Sequence, residues 1–361
     1  MNNKKAYIIN VFVMLVLIGA AFYIILKGQD INEIIRLVRN AKFSFLFLAI
    51  VMVFVNFMLQ SLSTYITLRE FGGKLSYLKN LRLTFVGYFF NAITPSAGGG
   101  QPMQVFYMRG DNISIGMSSV TLLFWTTMFK TSLLVIQVGF LIFFRDFIFR
   151  TLGGNTWLYF LGIIVNLLGI AISVIVIFWT NGVKWLTGVA TWLLKKFKLV
   201  KKEKKFKESL EKHLDTYAEC SKYVGKNYLL TAKVLVITVI QRIAYFSITW
   251  FSLIALNVNT IDIVHTIILQ SLIAVCIDII PVPGGAGVNE GFYVTIFNKF
   301  ISKKNAISSM LISRGITFYL MVLVGAVCSL SAQMNYTKMM AKRKPQGKDG
   351  KTDGKPDRNP M

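Results

Sequence analysis

Five ionisable side chains interrupt apolar runs of the sequence: Lys130, Arg242, Asp278, Glu290 and Arg314. A charge at bilayer depth costs about 2.5 to 3.5 kcal/mol even on lenient insertion scales, so such residues mark either a functional site or a structural ion pair. Lys130 and Arg314 suggest cationic partners for a phosphate headgroup. In the alternative, Arg314 or Arg242 neutralises Glu290 or Asp278 for stability alone. We favour the substrate role for Arg314 and Glu290, and simple pairing for Arg242 and Asp278.

Two stretches rich in glycine and proline also break apolar runs. The first Gly/Pro segment extends from Asn91 to Pro102 and the second from Ile280 to Glu290. Proline removes a backbone donor and glycine removes the steric bias toward helix, so neither segment continues a spanning helix. Broken backbone at membrane depth survives only where protein buries it or where it lines a wet cavity. Paired broken segments in corresponding halves point to the central site of a transporter.

Glycine-rich turns also offer backbone N–H groups to an anion. The two segments and the two cations together predict a substrate-binding site. Its residues are Thr94, Pro95, Gly98, Gly99, Gln101, Lys130, Pro283, Gly284, Gly285, Gly287, Glu290 and Arg314.

The composition is that of a polytopic membrane protein, because 54% of the 361 residues are hydrophobic and only 16% are charged. The formal net charge of +24 is typical of basic cytoplasmic loops, so we expect no nucleic-acid partner. Three cysteines without paired spacing predict no disulfide framework. Two histidines and no Cys/His spacing predict no metal site, and no cofactor is expected.

The apolar runs predict an all-α polytopic membrane protein with about six spanning helices and two re-entrant hairpins broken at the Gly/Pro segments. The six spans are 6–26, 43–68, 117–144, 157–179, 234–256 and 307–330. The arms beside each Gly/Pro segment, such as 83–93 and 291–300, are too short to cross a bilayer alone. Each hairpin should therefore enter and leave on the same side.

These runs divide the chain into five predicted regions. They are a first membrane helix and surface loop (1–42), a first membrane repeat with a connector helix (43–180), a basic cytoplasmic linker (181–233), a second membrane repeat (234–334) and a disordered basic cytoplasmic tail (335–361). In the linker, Phe206, Leu210, Leu214 and Tyr217 fall on one helical stripe. That stripe suggests a helix at the lipid headgroups, and a solvated basic linker is the alternative.

The charge bias predicts the orientation. The linker and the tail are the most basic stretches, so both termini should be cytoplasmic in a multi-pass protein of the cell membrane. The span from residue 43 then runs inward and the span from residue 234 runs outward. The two repeats would have inverted topology, which is characteristic of alternating access. The alternative is a helix bundle in which proline and glycine only kink two helices.

The two Gly/Pro segments resemble the two motifs of the lysylphosphatidylglycerol synthase transmembrane-region family, the flippase-like domain, over about residues 43–330. The second segment has the pattern Pro-Gly-Gly-x-Gly-x-x-Glu ending at Glu290, and Arg314 matches an arginine of the family. Gln101 stands where many relatives have an acidic residue. The resemblance implies a module that moves phospholipid between leaflets, or one that accompanies aminoacyl transfer onto phosphatidylglycerol.

Three function classes follow from these patterns. The first is a phospholipid transporter or flippase, with lysyl-phosphatidylglycerol among the substrates. The second is a phosphatidylglycerol lysyltransferase or its membrane component, which takes lysine from lysyl-tRNA. Transport is favoured over an enzyme, because no nucleophile–base pair is visible and the chain continues for only about thirty residues after the last span. The third is a non-catalytic membrane scaffold.

The expected partners are an anionic or aminoacylated phospholipid and the membrane itself. A homo-oligomer and a separate synthase both remain open as further partners.

Overall fold

A computed structural model of the protein describes residues 31–94, 98–185, 187–188, 203–278, 280 and 287–343. The described residues form helices and connecting turns, with no strand among them, which confirms the all-α class. The helices in chain order are α1 (Ile31–Arg39), α2 (Phe43–Glu70), α3 (Tyr77–Ile93), α4 (Gly100–Gly110), α5 (Ile115–Leu152), α6 (Thr156–Phe178), α7 (Glu203–Lys226), α8 (Tyr228–Ala255), α9 (Ile263–Ile277), α10 (Val288–Phe297), α11 (Lys303–Arg314), a π-helix (Gly315–Leu320) and α12 (Met321–Arg343). The predicted first span, 6–26, lies outside the described residues.

Among the residues that the structure describes, four helical stretches are long and apolar enough to cross a membrane. They are Phe43–Glu70, Ile115–Phe178, Tyr228–Ala255 and Lys303–Thr337. The second stretch comprises α5, a 3-10 turn and α6, and these two helices pack side by side. Tyr159 of α6 donates its hydroxyl to Gln137 of α5 across 3.0 Å, and Lys130 lies 3.5 Å from Asn166, so the two helices run antiparallel. The predicted count of six spans stays a prediction.

The first helices of the two predicted repeats, α2 and α8, form the central pair. Both are 28 residues long and they pack against each other. The backbone N–H of Lys42, which caps the start of α2, donates to the carbonyl of Ala255 at the end of α8 across 2.8 Å. Halfway along, Gln241 Nε2 donates to Asn56 Oδ1 across 3.2 Å. The start of one helix thus meets the end of the other, and the pair is antiparallel.

The helices that follow α2 and α8 pack in the same order in both halves. In the first half α2 contacts α3, α3 contacts α4, and α4 contacts α5. In the second half α8 contacts α9, α9 contacts α10, and α10 contacts α11. This correspondence is what two repeats of the same design require. The halves differ at their outer sides, because α12 packs on α3 whereas α9 contacts both α5 and α6.

The arms beside the Gly/Pro segments remain short. Helices α3, α4, α9 and α10 have 17, 11, 15 and 10 residues, and a bilayer needs about 20 residues of helix. Helix α3 begins at Tyr77, six residues before the predicted arm 83–93, because Asn80 is buried and donates to Ser61 and Thr64 of α2. Hydrophobicity alone did not identify this polar start of the helix.

Within the predicted linker, α7 packs against α5 and α6. Tyr217 donates its hydroxyl to the Val176 carbonyl across 2.6 Å, and Ser221 donates to the Ile177 carbonyl across 2.5 Å. Tyr217, from the predicted stripe, is buried together with Val224, and the side chain of Phe206 lies outside the described residues. Protein rather than water or lipid therefore covers one face of α7, a possibility that the sequence did not raise.

The last helical stretch is longer than the predicted span 307–330. It begins at Lys303, contains the π-helix Gly315–Leu320, and continues through α12 to Arg343. It therefore extends beyond residue 335, where the predicted tail begins. Residues 344–361 of that tail lie outside the described residues.

Candidate functional site

The structure describes eight of the twelve predicted site residues. Pro95, Pro283, Gly284 and Gly285 lie outside the described residues. The others are Thr94, Gly98, Gly99, Gln101, Lys130, Gly287, Glu290 and Arg314.

Side chains at the end of α3 organise the first Gly/Pro segment. Thr94 Oγ1 donates to the Phe90 carbonyl across 2.6 Å and accepts the Gly99 N–H at 2.9 Å. Asn91 Oδ1 accepts the Gly100 N–H at 2.8 Å. Our expectation that these glycines offer free N–H groups to an anion is therefore wrong for Gly99 and Gly100. A threonine and an asparagine close the turn instead.

The second Gly/Pro segment ends in a buried chain of polar contacts. Gly287 has a φ of 84°, a left-handed conformation that glycine adopts without strain. Its N–H donates to Glu290 Oε2 across 2.8 Å, and Arg314 Nε donates to Glu290 Oε1 across 2.7 Å. Glu290 is 2% exposed and Arg314 is 6% exposed. The carboxylate thus ties the start of α10 to the end of α11.

Arg314 lies where the last helical stretch changes its hydrogen-bonding pattern. The π-helix begins at the next residue, and the guanidinium lies 4.5 Å from the centre of the Phe318 ring. The Tyr88 hydroxyl of α3 donates to the Thr317 carbonyl in this π-helix across 2.8 Å. Short π-helical insertions are frequently found at functional sites. Here the insertion connects α3 of the first half with the arginine of the second half.

Arg242, in the middle of α8, is also buried. It is 8% exposed, and its Nε and Nη2 donate to the Phe129 carbonyl across 3.2 and 3.0 Å. Its guanidinium carbon lies 3.7 Å from the centre of the Phe129 ring, in cation–π contact. Lys130 on α5 points to a different partner, since its Nζ lies 3.4 Å from Asp278. Arg242 therefore makes no direct ion pair with Asp278 or Glu290, although Asp278 acts on it electrostatically from a longer distance.

A cavity of about 360 Å³ lies among α2, α3, α4, α5 and α8 and the ends of α9, α10 and α11. The lining residues include two guanidinium groups, seven amide side chains and several aromatic rings. The cations are Arg242 and Arg314; the amides are Asn56, Gln60, Asn91, Gln101, Gln104, Gln241 and Asn289; the rings include Phe57, Tyr88, Trp125, Phe129, Tyr245 and Phe318. None of these described residues is a carboxylate. The cavity therefore presents cationic and amide groups within a wall that is otherwise mostly apolar.

Some of the predicted site residues line this cavity and others do not. Gln101 and Arg314 line it, and Gln101 Nε2 donates to Thr126 Oγ1 across 2.5 Å. Glu290 supports Arg314 from behind, and Lys130 is absent from the described lining. Sequence reasoning singled out Arg242 but favoured a structural pair for it, and of the seven amides it predicted Gln101 alone. One signal was present, because Gln241 and Arg242 are adjacent polar residues in the middle of a 28-residue apolar helix.

A second, larger groove of about 680 Å³ lies among α1, α2 and α11. Its lining includes Ile35, Phe43, Leu46 and Ile316, and Arg39 is its only charged residue among those described. Apolar side chains therefore form most of its described lining. Among the described residues no group of three or more His, Cys, Asp or Glu side chains could hold a metal ion.

Comparison with known proteins identifies the family. A family model described as the lysylphosphatidylglycerol synthase TM region matches residues 8–325. The chain is also 24% identical over 326 residues to the UPF0104 membrane protein PH1989 of Pyrococcus horikoshii, an alignment that covers 88% of this chain and 96% of that protein. Together with the apolar helices, the family match identifies a multi-pass membrane protein. The chain therefore belongs to the lysylphosphatidylglycerol synthase transmembrane-region family.

Proposed function

We propose that the protein is a lipid transporter that moves phospholipid between the leaflets of the cell membrane, with the central cavity as its headgroup site. The observation that carries this proposal is where the cavity lies. Its walls include Asn91 and Gln101 from the first Gly/Pro segment and Asn289 from the second, together with two buried guanidinium groups. Binding sites of transporters with inverted repeats lie at such junctions of broken helices.

The antiparallel pair α2 and α8 supports an inverted repeat. Equivalent helices that point in opposite directions are related by an axis in the membrane plane, which is how alternating-access transporters are built. The two Gly/Pro segments would then enter the membrane from opposite faces as re-entrant hairpins. Both termini would be cytoplasmic, since the basic stretches stay on that side. On this view a rocking motion of one repeat against the other exposes the cavity to each leaflet in turn.

The proposed substrate contacts are those of the predicted site that line or support the cavity. Arg314 would bind the lipid phosphate through the planar fork of its guanidinium, which suits phosphate oxygens. Glu290 would hold Arg314 in place, and Gln101 would hydrogen-bond the polar part of the headgroup. Asn91, Gln101 and Asn289 of the two Gly/Pro segments would form part of the wall around the headgroup, and Pro95, Pro283, Gly284 and Gly285 stay predicted site residues.

The test is lipid translocation in vesicles that contain the purified full-length protein. Fluorescent phosphatidylglycerol in the inner leaflet is protected from dithionite, and its transfer to the outer leaflet makes it reducible. We expect protein-dependent transfer that Arg314→Gln reduces at least tenfold. Empty vesicles and vesicles with Arg150→Gln, which removes an exposed arginine of α5, are the controls. Transfer at the rate of empty vesicles for every lipid tested would reject the proposal.

A second candidate is a phosphatidylglycerol lysyltransferase or its membrane component. The description of the matched family as a synthase region favours it. The test is transfer of radiolabelled lysine from lysyl-tRNA to phosphatidylglycerol, measured with the same vesicles. Label in the lipid fraction would show an enzyme, and label only after addition of a separate synthase would show a membrane component.

A further inference from the structure

The charges in the membrane core do not balance. Five ionisable residues interrupt the apolar helices, and two ion pairs account for four of them. Glu290 pairs with Arg314 at 2.7 Å, and Asp278 pairs with Lys130 at 3.4 Å. Arg242 has no carboxylate within ion-pair distance among the residues that the structure describes. The segments 95–97 and 279–286 contain no aspartate or glutamate in their sequence, so neither could supply one.

Arg242 is nevertheless 92% removed from solvent, being 8% exposed. Its direct described contacts are the carbonyl and the ring of Phe129, and Asp278, which acts on it electrostatically from beyond ion-pair distance, already pairs with Lys130. Nε and Nη2 make those bonds, so Nη1 remains for another acceptor. A buried cation that must share one carboxylate with a second cation is only partly compensated, and an ionisable residue within a membrane marks a functional site by default.

Trp125 provides a second donor in the same wall of the cavity. Its ring lies 5.1 Å from the ring of Phe129, the residue that also contacts Arg242. Its indole N–H is buried and has no hydrogen-bond partner in the part of the chain that the structure describes. Both Trp125 and Arg242 line the cavity. A buried donor without an acceptor usually indicates a missing partner such as a ligand or water.

From these observations we propose that the cavity binds the phosphate of a lipid whose headgroup has no ammonium group, with Arg242 as the counterion and Trp125 Nε1 as a second donor. This inference rests on the proposed lipid transport and narrows its substrate class. Lysyl-phosphatidylglycerol has two ammonium groups, and no described residue of the lining is a carboxylate that could receive them. The amides of Gln60 and Gln101 instead suit the hydroxyl groups of an uncharged headgroup such as glycerol.

The volume and lining of the cavity fit a headgroup rather than a whole lipid. About 360 Å³ is near the lower end of the range of ~300 to 1,000 Å³ for small-molecule pockets, so the acyl chains must remain outside. Aromatic rings occupy much of the wall. Such a wall is amphipathic. It therefore suits the junction between a lipid phosphate and its apolar tail better than it suits a fully hydrated anion.

Lipid binding can be measured apart from transport. Native mass spectrometry of the full-length protein in detergent resolves bound lipids by mass. The probes are phosphatidylglycerol, lysyl-phosphatidylglycerol and phosphatidylcholine, each added at the same concentrations. We expect phosphatidylglycerol to bind at least about tenfold more tightly than lysyl-phosphatidylglycerol, the scale of one charge-assisted contact. Inorganic phosphate, added in excess, should not displace the lipid.

Three variants distinguish a loss of lipid contacts from a loss of folding. Arg242→Gln should weaken phosphatidylglycerol binding at least about tenfold and reduce the preference for it over lysyl-phosphatidylglycerol. Trp125→Phe keeps the stacked ring but removes the donor, and should weaken the same lipid severalfold. Arg150→Gln removes an exposed arginine and should change neither lipid. If Arg242→Gln does not fold, Trp125→Phe and Arg242→Lys still test the site.

The outcomes distinguish this inference from the proposed function. Equal or tighter binding of lysyl-phosphatidylglycerol by the unmodified protein would overturn the inference, even if lipid were transported. Unchanged phosphatidylglycerol binding in both Arg242→Gln and Trp125→Phe would also overturn it. Displacement of the lipid by inorganic phosphate would assign the site to a soluble anion instead. Selective binding without translocation would support the inference and reject the transporter.

Discussion

Gln241 donates its side-chain amide to Asn56 across 3.2 Å, and each of the two residues is the fourteenth of a 28-residue helix. The two helices run antiparallel, so this hydrogen bond joins equivalent positions of the two halves of the chain. Both amides line the cavity. The contact between the halves and the proposed binding site therefore coincide.

The first prediction concerns this pair of amides. Asn56 is 7% exposed and Gln241 is 1% exposed, so removing one partner leaves the other buried without its bond, at a cost of about 1 to 3 kcal/mol. Asn56→Leu and Gln241→Met should each lower the thermal unfolding temperature. The double variant should be more stable than the sum of the two changes predicts, because no orphaned amide remains. Strict additivity in a double-mutant cycle would contradict a direct interaction.

The second prediction concerns topology. Lys79 at the start of α3 and Lys303 at the start of α11 are exposed positions at corresponding ends of the two halves. Single cysteines at these sites, in a background without Cys220, Cys276 and Cys328, should react with an impermeant thiol reagent from opposite sides of the membrane. Cysteines at both sites that react from the same side would rule out the inverted repeat.

The third prediction concerns Glu290 and Arg314. Their burial means that breaking the pair leaves an uncompensated charge, which typically costs about 3 to 5 kcal/mol. Arg314→Gln and Glu290→Gln should therefore each destabilise the protein. The double variant Glu290→Gln, Arg314→Met should recover much of the stability, because replacing a buried pair by neutral groups of similar size is often close to neutral.

The same double variant also tests the substrate role of Arg314. We expect its lipid translocation to stay at least tenfold below that of the unmodified protein, despite the recovered stability. Both quantities should be measured on one preparation, by thermal unfolding and by the vesicle assay. Normal translocation in the double variant would show that the pair serves the fold alone.

The fourth prediction concerns the docking of α7. A side chain at Gly116 of α5 would collide with the backbone of His213 and Tyr217 in α7. Gly116→Val should therefore displace α7 and expose Cys220, a buried residue of α7. Faster maleimide labelling of Cys220, with the other two cysteines replaced, would report this change. Gly139→Val is the matched control, because no other atom lies near a side chain built at Gly139 of the same helix.

The fifth prediction concerns the effect of pH on α7. Burial lowers the pKa of His213 below its ordinary value of 6.5, with a further contribution from the positive charges of Arg109 and Lys212. Because the docked state disfavours the protonated ring, docking should be strongest above pH 6.5 and should weaken as the pH falls below it. Protection of α7 amides from hydrogen exchange, corrected for the intrinsic exchange rate, measures this effect. His213→Gln should make the protection independent of pH in that range.

The sequence by itself determined the class of protein, the helical architecture and the two breaks in it. Apolar runs of about 20 residues have few alternatives to membrane helices, and proline with clustered glycine must interrupt a helix wherever it lies. The motif around Glu290 indicated the family, because the backbone geometry of such a turn restricts which residues can form it. These are properties of contiguous residues.

Only the tertiary structure decided which charges meet. Lys130, Arg242 and Arg314 look alike in sequence, as cations within apolar helices, and the choice among their carboxylate partners depends on how separate helices pack. Lys130 meets Asp278 from 148 residues away, and Arg242 meets the Phe129 carbonyl from 113 residues away. Hydrophobic patterning carries no information about such distances in the chain. That Arg242 makes no direct ion pair, and that it lines a cavity, could be recognised only after the helices were assembled.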